Sequence, residues 1–177
     1  STESKLSLKY FGTTAERNSV GFTKAINEVD LLGNRQVDRD YYQTNGMELR
    51  YLLNYRLGSW KNTVATGLRY FGGEMKRKQL GVGSNGSGMD FDIQGLYTRD
   101  LVFHNTNYAA FAETILRPTD RILVTLGARL EQIETNIAGQ SGLSTTGSPI
   151  TTIPSSRGRS YVLLGAGAEY KVSINTK

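Results

Sequence analysis

A two-residue alternation sustained far beyond the length of an ordinary strand constrains this chain more than any other feature. From Gly46 to Leu57, the residues Met47, Leu49, Tyr51, Leu53, Tyr55 and Leu57 share one parity, while Glu48, Arg50, Asn54 and Arg56 share the other. Only Leu52 interrupts the polar parity. Successive side chains of a strand point to opposite faces, so this run has one apolar and one polar face and does not fit an amphipathic helix. At about 3.3 Å per residue it extends for ~40 Å, roughly twice the usual globular strand. The pattern recurs over 6–10, 64–70, 122–130 and 162–172. The stretch 107–116 is apolar on both parities; it reads as a strand whose outward face is undecided.

The alternation predicts six strands, at about 4–12, 43–57, 62–72, 100–117, 121–136 and 159–173. Two links are tight, at Gly58–Asn62 and Arg117–Arg121, where glycine, proline and aspartate favour turns. The other three, about 13–42, 73–99 and 137–158, are long, polar and rich in Gly, Ser, Thr and Asn. Loops of this length are rare in compact soluble domains. Short turns at one end and long loops at the other are the arrangement of outer-membrane β-barrels, with the turns periplasmic and the loops extracellular. Aromatic residues near the expected strand ends (Tyr10, Tyr42, Trp60, Tyr70 and Tyr170) suit the two interfaces of a bilayer. The expected fold is therefore all-β and antiparallel, a segment of a transmembrane barrel. Six strands are too few to close one, for which about eight is the minimum.

Two other folds carry the same alternation. A soluble β-sandwich or adhesin-type binding module would use the three long loops as its contact surface. A small self-contained barrel would need two further strands within 13–42, where 21–26 alternates poorly.

Composition removes several function classes. Cysteine is absent, which excludes disulfide frameworks, thiol chemistry and zinc ribbons. His104 is the sole histidine, so no multi-histidine metal centre can form. No apolar run approaches the ~20 residues of a membrane-spanning helix. The chain opens Ser1-Thr2-Glu3-Ser4, without the charged and apolar regions of a signal peptide. Gly81-Val82-Gly83-Ser84-Asn85-Gly86 matches G-x-G-x-x-G, but no helical pattern follows to hold a phosphate, and it reads as a loop tip. The pairs Asp38/Asp40 and Asp90/Asp92 lack the longer ligand series of a calcium loop and read as solvated loop carboxylates. No nucleophile elbow or acid–base carboxylate pair is present, so no catalytic residue, metal ligand or cofactor is assigned and no enzyme activity is expected.

The net charge is +5. Arg35 and Arg39 fall in the first expected loop, Lys76, Arg77 and Lys78 in the second, and Arg157 and Arg159 at the end of the third. Gathered at one mouth, these seven would form a site for an anionic ligand. Dispersed, they would be a basic rim that meets acidic lipopolysaccharide or keeps the loops soluble.

Several segments carry a family resemblance. Asn107-Tyr108-Ala109-Ala110-Phe111-Ala112-Glu113, the turn Pro118-Thr119-Asp120-Arg121 and then Leu126-Gly127-Ala128-Arg129-Leu130-Glu131 resemble the mid-barrel signature of TonB-dependent outer-membrane receptors. Asn34 to Tyr42, Gly46-Met47-Glu48-Leu49-Arg50, Arg77-Lys78-Gln79-Leu80-Gly81 and Leu164 to Tyr170 are similar to the ferric-dicitrate branch. The resemblance implies that residues 1–177 are part of a barrel domain of 22 strands, without its plug domain. It also implies a bacterial outer-membrane location and uptake of an iron chelate, ferric citrate or another siderophore. The implied partners are that chelate, outer-membrane lipid and, through the plug, the TonB complex; no nucleic acid is expected. Arg50, Arg56, Arg69, Arg129 and Glu131 would face the plug.

Overall fold

The computed structural model describes residues 3–172. Its six strands are β1 (Glu3–Gly21), β2 (Gln36–Leu57), β3 (Trp60–Val82), β4 (Arg99–Leu116), β5 (Ile122–Leu143) and β6 (Pro149–Tyr170). They form one antiparallel sheet in chain order, with β1 and β6 at its edges. Each strand is hydrogen-bonded to its sequence neighbour, so the topology is a simple meander. Among the described residues there is no second sheet to make a sandwich, and 13–42 adds no new strand.

The expected strands are all present, but several run much further than their alternation. Residues 13–21 and 36–42 lengthen β1 and β2, 73–82 lengthen β3, and 137–143 and 149–158 lengthen β5 and β6. The expected long loops shrink to 22–35, 83–98 and 144–148. The third is therefore a short turn. Position 173, the expected end of the last strand, lies outside the described residues. In these extensions polar residues stand on both faces, so the strict hydrophobic period disappears while the backbone ladder continues.

The cross-strand register makes one continuous apolar face. Leu8 pairs with Leu49, Leu49 with Leu68, Leu68 with Ala110, Ala110 with Leu130 and Leu130 with Val162. Leu49, Tyr51, Leu53, Val124, Leu126, Leu164 and Ala166 all lie on this face. Arg50, Arg56, Arg69, Arg129 and Glu131 lie on the other. The ambiguity of 107–116 is resolved: Tyr108, Ala110 and Ala112 join the apolar face, while Phe111 and Ile115 point to the polar one. An aromatic row bounds the apolar face, with Tyr10, Met47, Tyr70 and Tyr108 directly opposed across four strands. The Tyr70 and Tyr108 rings lie 5.2 Å apart. Tyr42 is not part of that row; it sits on the polar face, its hydroxyl 3.5 Å from Asp40 Oδ2.

Local chemistry fixes the connections. Leu57 pairs with Trp60, leaving Gly58-Ser59 as a two-residue hairpin turn. Gly58 has φ of +61°, at the first central position, where such turns favour glycine. At the far end, the register slips between Ile137 and Gly139 in the β5–β6 pairing. Gly139 has φ of +122°, and a Cβ there would run into the carbonyl oxygen of Asp100. Gly139→Ala should cost about 1–3 kcal/mol, the range for a residue forced into a sparsely allowed conformation. A denaturation midpoint equal to that of the parent would show that the bulge tolerates a side chain.

Candidate ligand-facing mouth

The strand ends opposite the two tight turns carry the candidate binding residues, and the register separates them. Arg77 extends on the polar face, directly opposite Asp40, which is itself directly opposite Arg17. Asp40 is fully buried. Its Oδ2 accepts a hydrogen bond from Arg17, and its Oδ1 lies 3.5 Å from Arg77 Nε. Two guanidiniums thus share one carboxylate, leaving a local excess of positive charge on half-exposed arginines. Asp40 is not a solvated loop carboxylate, because strand pairing traps it between two cations. Asp38 is likewise in β2, accepting bonds from the Leu80 amide (2.7 Å) and the Gln36 side-chain amide.

Arg39, Lys76 and Lys78 point the opposite way from Arg77, since they differ from it in parity or strand pairing. Arg39 lies over the rings of Tyr41 and Phe91, at 5.6 and 5.8 Å, and donates to Asn18. Lys78 is directly opposite Arg39, 3.8 Å from Asp100 and near the Tyr97 ring. Lys76 pairs with Glu74 at 3.2 Å, and His104 Nδ1 approaches the same carboxylate at 3.6 Å. Arg35 belongs to neither group. Its side chain is buried against Asp30 at 2.8 Å, and its backbone bonds with Gly83 and Ser84. Arg157 and Arg159 are strand residues of β6, opposite Thr135 and Ile133, not loop residues. They share the polar face with Arg77 but lie roughly 20 Å from it, by strand spacing and rise. The seven basic residues therefore do not share one face of the sheet.

Arg17 and Asp40 are the members of the mouth that the hydrophobic pattern did not mark as a pair. Their signal is the match of Glu16-Arg17-Asn18 with Asp38-Arg39-Asp40, complementary charges that become neighbours only when β1 and β2 continue past their apolar runs.

The two remaining long loops are tied to each other. The Arg35 amide donates to Ser84 O, Gly83 to Arg35 O, and Gly86 to Leu32 O. Gly83 is needed for close approach, because a Cβ there would sit 2.8 Å from Val37 Cγ2. The glycine motif at 81–86 is therefore a strand end and inter-loop clasp with no helix after it, unlike a nucleotide-binding turn. Burial pushes the Tyr97 phenol in the second loop above its ordinary pKa. Among the described residues no group of three or more His, Asp or Glu side chains could hold a metal.

Asp90 organises the second loop. Its Oδ1 accepts from Ser84 Oγ at 2.7 Å and from the Asp92 amide at 3.1 Å. The Ser84 bond, then the Asp92 amide, hold its carboxyl below the ordinary 3.8. A carboxyl depressed in the folded state favours folding above its unfolded pKa, and that contribution is lost as pH falls through the lower, folded value. The Asp92 amide shift, followed by NMR, should titrate with a midpoint below 3.8 and lose that step in Asp90→Asn. A midpoint at or above 3.8 would show the bonds absent in solution.

No protein-family model matches the sequence, and no curated protein matches it. Several solved chains match the fold, two of them iron-transport receptors. The ferric citrate transporter FecA in its unliganded form aligns with a TM-score of 0.75 at 17% identity, covering 97% of this chain and 23% of that one. The ferric-catecholate import receptor Fiu from E. coli K12, in an open form, aligns with a TM-score of 0.67 at 16% identity, covering 98% and 31% respectively. The shared property is the fold. The chain spans less than a third of the length of these proteins.

Proposed function

We propose that this chain is wall and mouth of a TonB-dependent outer-membrane receptor that imports an iron chelate, ferric citrate or another siderophore. The observation that carries the reading is the apolar face between its two borders. From the Tyr10–Tyr108 row down to Leu57, Trp60, Leu116, Ile122 and Tyr170, that face holds no charged residue on any of the six strands. Along β3 it runs eleven residues, ten steps of rise, from Trp60 to Tyr70. That is about 33 Å of strand, or ~25 Å in height at a ~40° tilt, the apolar band of an outer-membrane barrel. Aromatic residues at both borders suit the two bilayer interfaces. Beyond the upper row the same face turns polar at Asn45, Thr106 and Glu134, as strands standing above a membrane would.

The open edges of β1 and β6 then pair with further strands of the same wall, which avoids unpaired backbone in lipid. Arg17 and Arg77 face the lumen at the mouth, where their shared excess charge would draw in an anionic chelate. The TonB complex would act through a plug seated in that lumen.

The test is uptake. A strain lacking the gene should lose transport of radiolabelled ferric citrate or of a ferric catecholate under iron limitation, and regain it on complementation. Unchanged uptake of every iron chelate tried, with the protein found outside the outer membrane, would reject the reading.

A further inference from the structure

At the end of the sheet opposite the mouth, the two tight turns and the end of β6 border a hollow of about 480 Å³. Lys61, Arg117, Arg121 and Lys171 line it, together with a single carboxylate, Asp120. None of these five side chains forms an ion pair among the described residues. Like charges gathered without counter-charges repel one another, and an anion among them relieves that repulsion.

Several donors there are already held in place. The Arg117 amide donates to Asn62 Oδ1 at 3.1 Å, and its Nη1 reaches the Lys61 carbonyl at 3.5 Å and Thr63 Oγ1 at 3.4 Å. Its Nε and Nη2 have no acceptor among the described residues. Thr119 Oγ1 accepts from the Arg121 amide at 3.3 Å and the Ile122 amide at 3.1 Å, so its own O–H is left to donate elsewhere. The Lys171 amide donates to Arg121 O at 2.9 Å, which ties the end of β6 to the same turn. Lys61 and Arg117 also border an adjoining hollow of about 340 Å³, lined by Asn62. Asn62 is 2% exposed, and its Nδ2 has no partner. A buried amide left without an acceptor is costly, and a ligand oxygen in that space would satisfy it.

We propose that the hollow between the two tight turns binds a phosphate group. Four cations against one carboxylate repel a metal ion and select an anion. A phosphate presents acceptor oxygens around a tetrahedron, which suits donors arriving from two turns and a strand end. A carboxylate has two coplanar oxygens and meets one guanidinium at a time. Water takes about 30 Å³ per molecule in the liquid, so the space holds a phosphate with the group esterified to it. The hollow includes Ile122, which stands with Trp60 and Tyr170 at the lower border of the apolar face. On the proposed membrane reading, on which this step alone rests, that border lies at headgroup depth and the phosphate is that of an anionic glycerophospholipid. Dissolved phosphate is the other source of the same chemistry.

The test is native mass spectrometry of the intact protein in a neutral, phosphate-free detergent, titrated separately with sodium phosphate and with short-chain phosphatidylglycerol. Saturable binding of a single equivalent should appear with at least one of the two. Arg117→Gln combined with Arg121→Gln should weaken it by about tenfold or more through lost charge-assisted bonds, and Lys171→Gln should weaken it less. Lys5→Gln combined with Lys9→Gln, which removes the same charge from β1, should leave it unchanged. Binding of phosphatidylglycerol alone assigns the lipid source, and equal binding of phosphate assigns the dissolved one. No saturable binding, or an equal loss when Lys5 and Lys9 are replaced, would overturn the site. Should the double arginine variant fail to fold, undiminished binding in Lys171→Gln counts against the site in its place. Outer-membrane fractionation and heat-modifiable gel migration read the membrane wall separately. A membrane-embedded protein without binding rejects the site alone. Binding in a protein that fractionates as soluble rejects the wall and keeps the site, with dissolved phosphate as its source.

Discussion

Leu126→Arg should lower the stability of the membrane-folded protein by about 2–4 kcal/mol, whereas Thr125→Arg should cost much less. The two positions are adjacent on β5 and point to opposite faces. Leu126 lies midway along the charge-free face, opposite Thr114 on one side and Ala166 on the other. On the proposed membrane reading, a guanidinium there would meet hydrocarbon, far from both borders of the apolar face. Thr125 is flanked by Ile115 and Gly167 on the face that carries Arg129 and Glu113, so a new charge there stays near water or polar groups. The difference should show in reversible urea unfolding from lipid vesicles. Equal losses at both positions would mean that the apolar face does not meet lipid.

Asp40→Ala should destabilise the upper part of the sheet by about 2–4 kcal/mol. Removing one member of a buried ion pair typically costs 3–5 kcal/mol, because the remaining charge is left buried and unpaired. Here the value is reduced, since the side chains of Arg17 and Arg77 are 57% and 34% exposed and can recover some hydration. Asp40 joins three strands, so its loss should raise amide exchange in β1, β2 and β3 together above the Tyr10–Tyr108 row. Arg17→Ala alone should be milder, because Arg77 still compensates the buried carboxylate. Exchange that rises in β1 only, or an Arg17→Ala effect as large as that of Asp40→Ala, would remove Asp40 from the centre of this network.

On the proposed function, these effects would bear on ligand capture at the mouth. If the upper strands loosen, Arg17 and Arg77 lose the carboxylate that aligns them, and the proposed anionic ligand would meet mobile side chains. Ordering them on binding then costs rotamer entropy that the intact ion-paired arrangement has already met.

The alternating runs of β2, β5 and β6 were enough to specify strands, their two faces and the tight turns between β2 and β3 and between β4 and β5. Burial on one side only imposes a strict period of two, and that period survives in the residues themselves. Glycine at 58 and proline with aspartate at 118–120 mark turns through backbone geometry that is equally local. The strand extensions were not legible in the same way. From 36 to 42 and from 73 to 82 polar residues fall on both parities, and a hydrogen-bonded ladder can continue without a strict two-residue hydrophobic period. For that reason the sequence pointed to seven basic loop residues at one mouth, while the fold set most of them in strands and on two faces. Parity decided it: Arg77 and Lys78 are neighbours in the chain but occupy opposite sides of the sheet. The burial of Asp40 between Arg17 and Arg77 is likewise a property of register, since it requires residues 23 and 37 positions apart to stand in one cross-strand row. The residues alone determined that long two-faced strands would form; only their pairing decided which charges would meet.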